Sequence, residues 1–98
     1  MQRAAALSRL TASERELRAM GVTALSLFGS VARDEAGPAS DVDIAVKLDD
    51  ARHLDLIDFA QINLRLQDML GVKVDLVREP ARKPRFQAQI DRDRVHAF

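Results

Sequence analysis

Residues 28–46, FGSVARDEAGPASDVDIAV, contain the two features from which the fold of this 98-residue chain is predicted. Gly29-Ser30 interrupts the apolar run of residues 22–28, so a buried strand is predicted to end there and a short helix to follow as far as Glu35. The second feature is the alternation in residues 41–48, DVDIAVKL, which predicts a strand with one apolar and one polar face. Both features indicate a sheet packed against helices.

Helical patterns flank these strands. Leucines recur at helical spacing before Gly21, where Thr11 and Glu14 have the spacing of a capping box. A long helix is predicted for about residues 54–70, with Gly71 ending it. Its apolar residues cover more than one stripe, so part of its surface is expected to contact a partner.

The C-terminal third predicts one more strand and one more helix. Residues 72–77, VKVDLV, alternate like the second strand, and an amphipathic pattern follows over about residues 85–92, in which Phe86 and Ile90 are expected core contacts. The predicted order is αβαβαβα. We therefore expect an α+β fold in residues 1–98, a single domain with a small mixed sheet and helices packed on one face.

The composition excludes several classes of protein. Fifteen Lys and Arg balance fifteen Asp and Glu, so direct nucleic-acid binding is not expected. Without cysteine there is neither a disulfide framework nor a thiolate metal site. No apolar run reaches the roughly 20 residues of a membrane span, and the first ten residues lack a signal-peptide core. A cytoplasmic protein without membrane contact is expected.

Three aspartates are predicted on the polar faces of two strands. Asp41 and Asp43 are two residues apart, roughly 6.6 Å along a strand, and Asp75 lies mid-strand in the following strand. Carboxylates in this number suit Mg²⁺, with Mn²⁺ as a substitute. Polar residues at alternate positions are also ordinary on any exposed strand face.

The turn before these aspartates favours the functional interpretation. Gly29-Ser30 is predicted at a strand-to-helix junction, where free backbone N–H groups attract phosphate and glycine permits its close approach. Arg33 lies three residues after Ser30 on the same helical face, where it can contact phosphate or orient an aspartate. An anion-binding turn, ten intervening residues and an acidic pair then form one pattern.

This pattern resembles the signature of the minimal nucleotidyltransferases of the DNA polymerase β-like superfamily, namely Gly-Ser, a spacer and Asp-x-Asp. The spacer fits the MntA-like antitoxin branch of HEPN/MNT toxin–antitoxin pairs, and the resemblance spans nearly the whole chain. It implies that Asp41, Asp43 and Asp75 are catalytic and bind Mg²⁺, as one or two ions. The implied nucleotide-binding residues are Gly29, Ser30, Arg33 and Ser40.

The resemblance also implies an activity and a partner. Antitoxins of this class transfer AMP from ATP to a tyrosine of a HEPN ribonuclease toxin, with which this chain would form a hetero-oligomer. Many relatives have glycine where this chain has Asp34. If that position requires positive φ, Asp tolerates it; if it requires close approach of the nucleotide, a carboxylate there would hinder binding.

Other functions compete with this one. The domain can neutralise a partner by occlusion alone, as a catalytically weak or inactive binding module. Transfer to a small molecule ranks last, because such enzymes generally carry an additional domain. His53 and His96 are expected to be surface residues. The basic stretch after the third strand, consisting of Arg78, Arg82, Lys83 and Arg85, is expected to be solvated or to contact phosphate or an acidic partner.

Overall fold

The computed structural model describes residues 1–98, whose centre is a four-stranded sheet in the order β3-β2-β1-β4. Its strands are β1 (Val22–Phe28), β2 (Val42–Leu48), β3 (Val74–Arg78) and β4 (Val95–His96). β1 is antiparallel to both β2 and β4, whereas β2 and β3 are parallel. The sheet is therefore mixed, as predicted.

Five helices surround the sheet. They are α1 (Arg3–Ala12), α2 (Glu14–Ala19), α3 (Gly29–Ala32), α4 (Leu56–Leu70) and α5 (Pro84–Asp93), with a 3-10 turn at Asp50–Arg52. The parallel pair of β2 and β3 is possible because α4 forms the crossover between them. None of the five is both long enough and apolar enough to cross a membrane.

The first face of the sheet carries the main core. Alternate residues of β1, β2 and β3 point into it and meet the buried stripes of α1, α2 and α4. Seventeen buried residues form this cluster, including Leu25, Ile44 and Leu66. Aliphatic side chains fill it, in keeping with the scarcity of aromatic residues.

The second face is covered in part by α5. Phe28, Ala45 and Ile90 form a separate buried cluster there, so α5 lies opposite the other long helices. The prediction that the helices pack on one face is correct for α1, α2 and α4 and wrong for α5. A single buried stripe on a short helix does not reveal which face of a sheet it meets.

The N-terminal helix differs from its prediction. The chain breaks at Ser13 into α1 and α2, and the hydroxyl of Thr11 donates to the Leu7 carbonyl at 2.7 Å. The predicted Thr11–Glu14 capping box is therefore wrong, because Thr11 lies in the last turn of α1. A reciprocal box does exist at α4, where Asp55 and Asp58 each accept from the other's backbone N–H.

Several predicted boundaries also shift. The long helix begins at Leu56 rather than residue 54, because Asp55 caps it, and it ends before Gly71 at φ +70° as predicted. α3 ends at Ala32 rather than Glu35. The predicted order αβαβαβα lacks both the break at Ser13 and the two-residue strand β4.

Candidate active site

Strand register brings two of the predicted aspartates together. Asp43 and Asp75 are direct partners in the parallel pair of β2 and β3, and neighbouring strands are about 4.8 Å apart. Both residues belong to the second face, since Val42, Ile44, Val74 and Leu76 point into the core on the first. Asp41 is exposed and immediately precedes β2. The alternating pattern thus predicted the correct face for Asp43 and Asp75.

The Gly29 turn lies directly against Asp43. Phe28 is the antiparallel partner of Asp43, and the chain then turns through Gly29 at φ +71° into α3. A Cβ atom on Gly29 would overlap Oδ2 of Asp43. Glycine is therefore required here for both its positive φ and its small size. The predicted phosphate turn and Asp43 are therefore in contact.

Asp43 has an unusual electrostatic environment. Partial burial is the largest cause that raises its pKa, and the negative charges of Asp75 and Asp41 raise it further. The positive charge of Arg33 opposes these effects, and the pKa of Asp43 is about 6. Negative charge is therefore concentrated at the point where the turn and the two strands meet.

This environment makes stability depend on pH. With a pKa near 6 in the folded protein and about 3.9 in the unfolded chain, Asp43 contributes stability below pH 4 that is lost as pH rises through 6. After allowance for solvent screening, we expect Asp43→Asn to gain about 1–2 kcal/mol over the metal-free wild type across this window. Urea unfolding in chelator between pH 4 and 7.5 measures the difference. Parallel stability curves for the two proteins would contradict the assigned environment.

Arg33 is held by two carboxylates. Its guanidinium donates to Glu35 at 3.1 Å and to Asp93 of α5 at 2.7 Å, and these pairings raise its pKa. The side chain of Asp93 is 4% exposed and also accepts from Arg92. No local sequence pattern indicates this contact, because Arg33 and Asp93 are 60 residues apart. α5 is thereby joined to the end of the Gly29 turn.

The remaining predicted residues have local roles in the structure. Ser30 is half-buried in the first turn of α3, and the hydroxyl of Ser40 accepts from the Gly37 N–H at 3.1 Å. Asp34 has φ +60°, and its carboxylate accepts from the Arg3 N–H at 3.2 Å. The Asp34 position therefore has a positive φ, which Asp tolerates better than most residues do.

The carboxylates do not form a finished metal site. No group of three acidic or histidine side chains is arranged to hold an ion, so the three-aspartate ligand set stays a prediction. The largest surface cavity, about 900 Å³, lies among Lys47, Glu79 and Arg82. Lys47 follows Asp43 by four residues, roughly 13 Å along the strand. That groove is thus at the other end of the sheet, and its lining contains none of Asp41, Asp43 and Asp75.

Three other polar residues of the second face, Arg94, Glu79 and Ser26, escaped prediction. Arg94 donates to the buried Glu79 at 2.6 Å and to the Ser26 hydroxyl at 3.1 Å. These contacts connect the end of α5 to the sheet and satisfy groups that would otherwise be costly to bury.

His96 is exposed in β4, with Nδ1 3.4 Å from the Ser26 hydroxyl, and His53 is exposed after the 3-10 turn. Both histidines are surface residues as predicted.

Known proteins resemble this chain along most of its length. Residues 10–96 match the family described as nucleotidyltransferase domain. Protein adenylyltransferase MntA of Thermococcus cleftensis is 37% identical over 90 residues, which cover 91% of this chain and 89% of that protein.

Solved structures show the same fold. The structure of a minimal nucleotidyltransferase is 34% identical, with a TM-score of 0.81 over 97% of this chain and 95% of that one. The complex of a tri-AMPylated HEPN toxin from Shewanella oneidensis with an MNT antitoxin contains a chain that is 22% identical. Its TM-score is 0.60 over 89% of this chain and 70% of that one. At this level of identity the likeness shows the fold alone.

Proposed function

The chain belongs to the nucleotidyltransferase domain family, and from that premise we propose that it transfers AMP from ATP to a tyrosine of a HEPN-type toxin. The contact between the Gly29 turn and Asp43, which pairs with Asp75, carries the proposal. The name of the 37% identical relative supports protein adenylylation, and the complex with an AMPylated HEPN toxin supports the partner.

The triphosphate would be held by the Gly29 turn. The first N–H groups of a helix have no partner within it, and Ser30 adds a hydroxyl donor. α3 has only four residues, so its dipole is small and these individual donors provide the attraction. Arg33 would move from Glu35 toward the phosphates, since that exposed pair is easily exchanged.

Asp41, Asp43 and Asp75 would hold Mg²⁺, or Mn²⁺ in its place. They fit a hard cation because they offer only carboxylate oxygens. Partial burial, and then the charges of Asp75 and Asp41, raise the pKa of Asp43, and a bound cation would offset both effects. When bound, the divalent ion would activate the attacking oxygen and stabilise the leaving pyrophosphate. Asp75 would accept the tyrosine proton as the phenolic oxygen bonds to the α-phosphorus and the bond to pyrophosphate breaks.

The direct test is incubation of the chain with ATP, Mg²⁺ and a HEPN toxin encoded beside it. Intact-mass spectrometry should show toxin heavier by one or more adenylyl groups, and fragmentation should locate them on tyrosine. Chelator should abolish the gain. A toxin of unchanged mass, with both proteins folded, would overturn the proposed activity.

One observation favours a second candidate, neutralisation by occlusion. The α4 surface exposes three large apolar side chains, with Leu56 84%, Ile57 67% and Leu64 66% accessible. Such a patch is typical of a protein interface. An Asp41→Asn, Asp43→Asn double variant separates the two candidates. If it neutralises the toxin at the wild-type concentration, binding suffices and transfer is not the essential function.

Placing a charge in the α4 patch should weaken the partner complex. We expect Leu64→Glu to raise the dissociation constant at least about 10-fold, because a buried unpaired carboxylate is costly at an interface. Its free energy of unfolding should change by less than about 0.5 kcal/mol, since Leu64 packs little in the free chain. Calorimetric titration with the toxin measures the effect.

The control for this experiment is Ala5→Glu, an exposed position of α1. It adds the same charge to a helix without the apolar patch, so it should leave the dissociation constant unchanged. Equal affinities for Leu64→Glu and the wild type would exclude the α4 surface as the toxin interface.

A further inference from the structure

Phe86 is the exposed aromatic residue nearest the candidate active site. The sequence predicted it as a core contact of the last helix, yet it is 36% accessible. Its ring lies 5.9 Å from that of Phe28, centroid to centroid, at an interplanar angle of 82°. Phe28 is buried, and this edge-to-face contact fixes the orientation of the more exposed ring.

The position of Phe86 relates it to the phosphate turn. Phe28 immediately precedes Gly29 and pairs with Asp43 across the two strands. The Phe86 ring therefore packs on a residue, Phe28, that adjoins both the Gly29 turn and Asp43. A nucleotide whose triphosphate occupies the turn would have its base within reach of this side of the site.

The surroundings of Phe86 suit a nucleotide. Lys83, Pro84, Arg85 and Phe86 line an open cavity of about 490 Å³, within the roughly 300–1,000 Å³ typical of ligand pockets. Lys83 and Arg85 belong to none of the chain's ion pairs. An unpaired cation beside an aromatic ring favours a ligand that combines a π surface with negative charge.

We propose that Phe86 is the stacking platform for the base of the nucleotide, with Lys83 and Arg85 as its cationic border. The inference rests on the proposed function, because it requires the triphosphate in the Gly29 turn. It assigns the base to the α5 side of the site. Stacking on an aromatic ring accepts any base, so the platform contributes affinity more than it selects adenine.

The test compares a probe that has a base with one that lacks it. Dissociation constants for ATP and for inorganic tripolyphosphate, each with Mg²⁺, are measured by calorimetry for the wild type, Phe86→Leu and Phe86→Tyr. We expect Phe86→Leu to weaken ATP about 10-fold and tripolyphosphate less than about 2-fold. Phe86→Tyr, which keeps the ring, should bind ATP within about 3-fold of the wild type.

A matched control is Phe59→Leu. Phe59 lies on α4 and its ring packs against the core of the first face, so its removal should leave the dissociation constants of ATP and tripolyphosphate unchanged. Equal weakening of both probes by Phe86→Leu would show a structural role and overturn the inference, as would no weakening at all. Either outcome leaves the proposed function intact. A wild-type protein that binds neither probe would overturn both proposals together.

Discussion

Replacing Asp43 by asparagine is expected to reduce AMP transfer by about 10³-fold or more, while the protein stays folded. Asp43 is the only predicted ligand that contacts the Gly29 turn and also pairs with Asp75. Without its charge, neither the divalent ion nor the transferring phosphoryl group would be held in place, and losses of this size follow removal of a main electrostatic group. Initial rates of toxin adenylylation at saturating ATP measure the effect.

The control for this variant is Asp50→Asn. The Asp50 side chain is 96% exposed and pairs only with Arg78 at the surface, so its removal changes the net charge equally without touching the site. We expect its rate to stay within about 2-fold of the wild type. An Asp43→Asn protein that retains more than about a tenth of wild-type activity would contradict the assigned role. If that variant unfolded instead, Asp43 would be structural.

Gly29→Ala should produce the second large effect. The residue has φ +71°, which costs an alanine about 1–2 kcal/mol, and the added Cβ would overlap Oδ2 of Asp43. The carboxylate must then move away from the turn. We expect at least a 100-fold loss of transfer, roughly the loss of one positioned group, together with a destabilisation of about 2–3 kcal/mol.

The chain supplies its own control for Gly29→Ala. Gly71 has nearly the same φ, +70°, but no atom lies within 4 Å of the Cβ that alanine would add. Gly71→Ala should therefore cost only the backbone strain, about 1–2 kcal/mol, and leave transfer unchanged. If both variants lost activity equally, the close contact between Gly29 and Asp43 would have no functional importance.

Local patterns were enough to predict the strands and the turn on which the candidate site residues lie. Strand alternation has a period of two, so it fixes the face of Asp43 and Asp75 once the apolar residues between them are buried. The glycine after β1 was identifiable because an apolar run ended there. These inferences needed only neighbouring residues, and the contact between Gly29 and Asp43 follows from the antiparallel pairing of β1 with β2.

Other features depend on distant contacts and escaped prediction. Arg33 meets Asp93 across 60 residues, and no local pattern encodes that pairing. The position of α5 on the second face depends on Ile90 meeting Phe28 and Ala45, which a helical stripe alone does not specify. The Thr11–Glu14 spacing matched a capping box by chance, while the real one at Asp55 was overlooked.

In the mechanism proposed here, the phosphate turn and the aspartates act on one nucleotide. The decisive experiment is a crystal structure of the chain with Mg²⁺ and a non-hydrolysable ATP analogue. We predict triphosphate density against the backbone of Gly29 and Ser30, with an ion bound by Asp43 and Asp75. Triphosphate bound instead in the groove of Lys47 and Arg82, with both aspartates free of metal, would contradict the account.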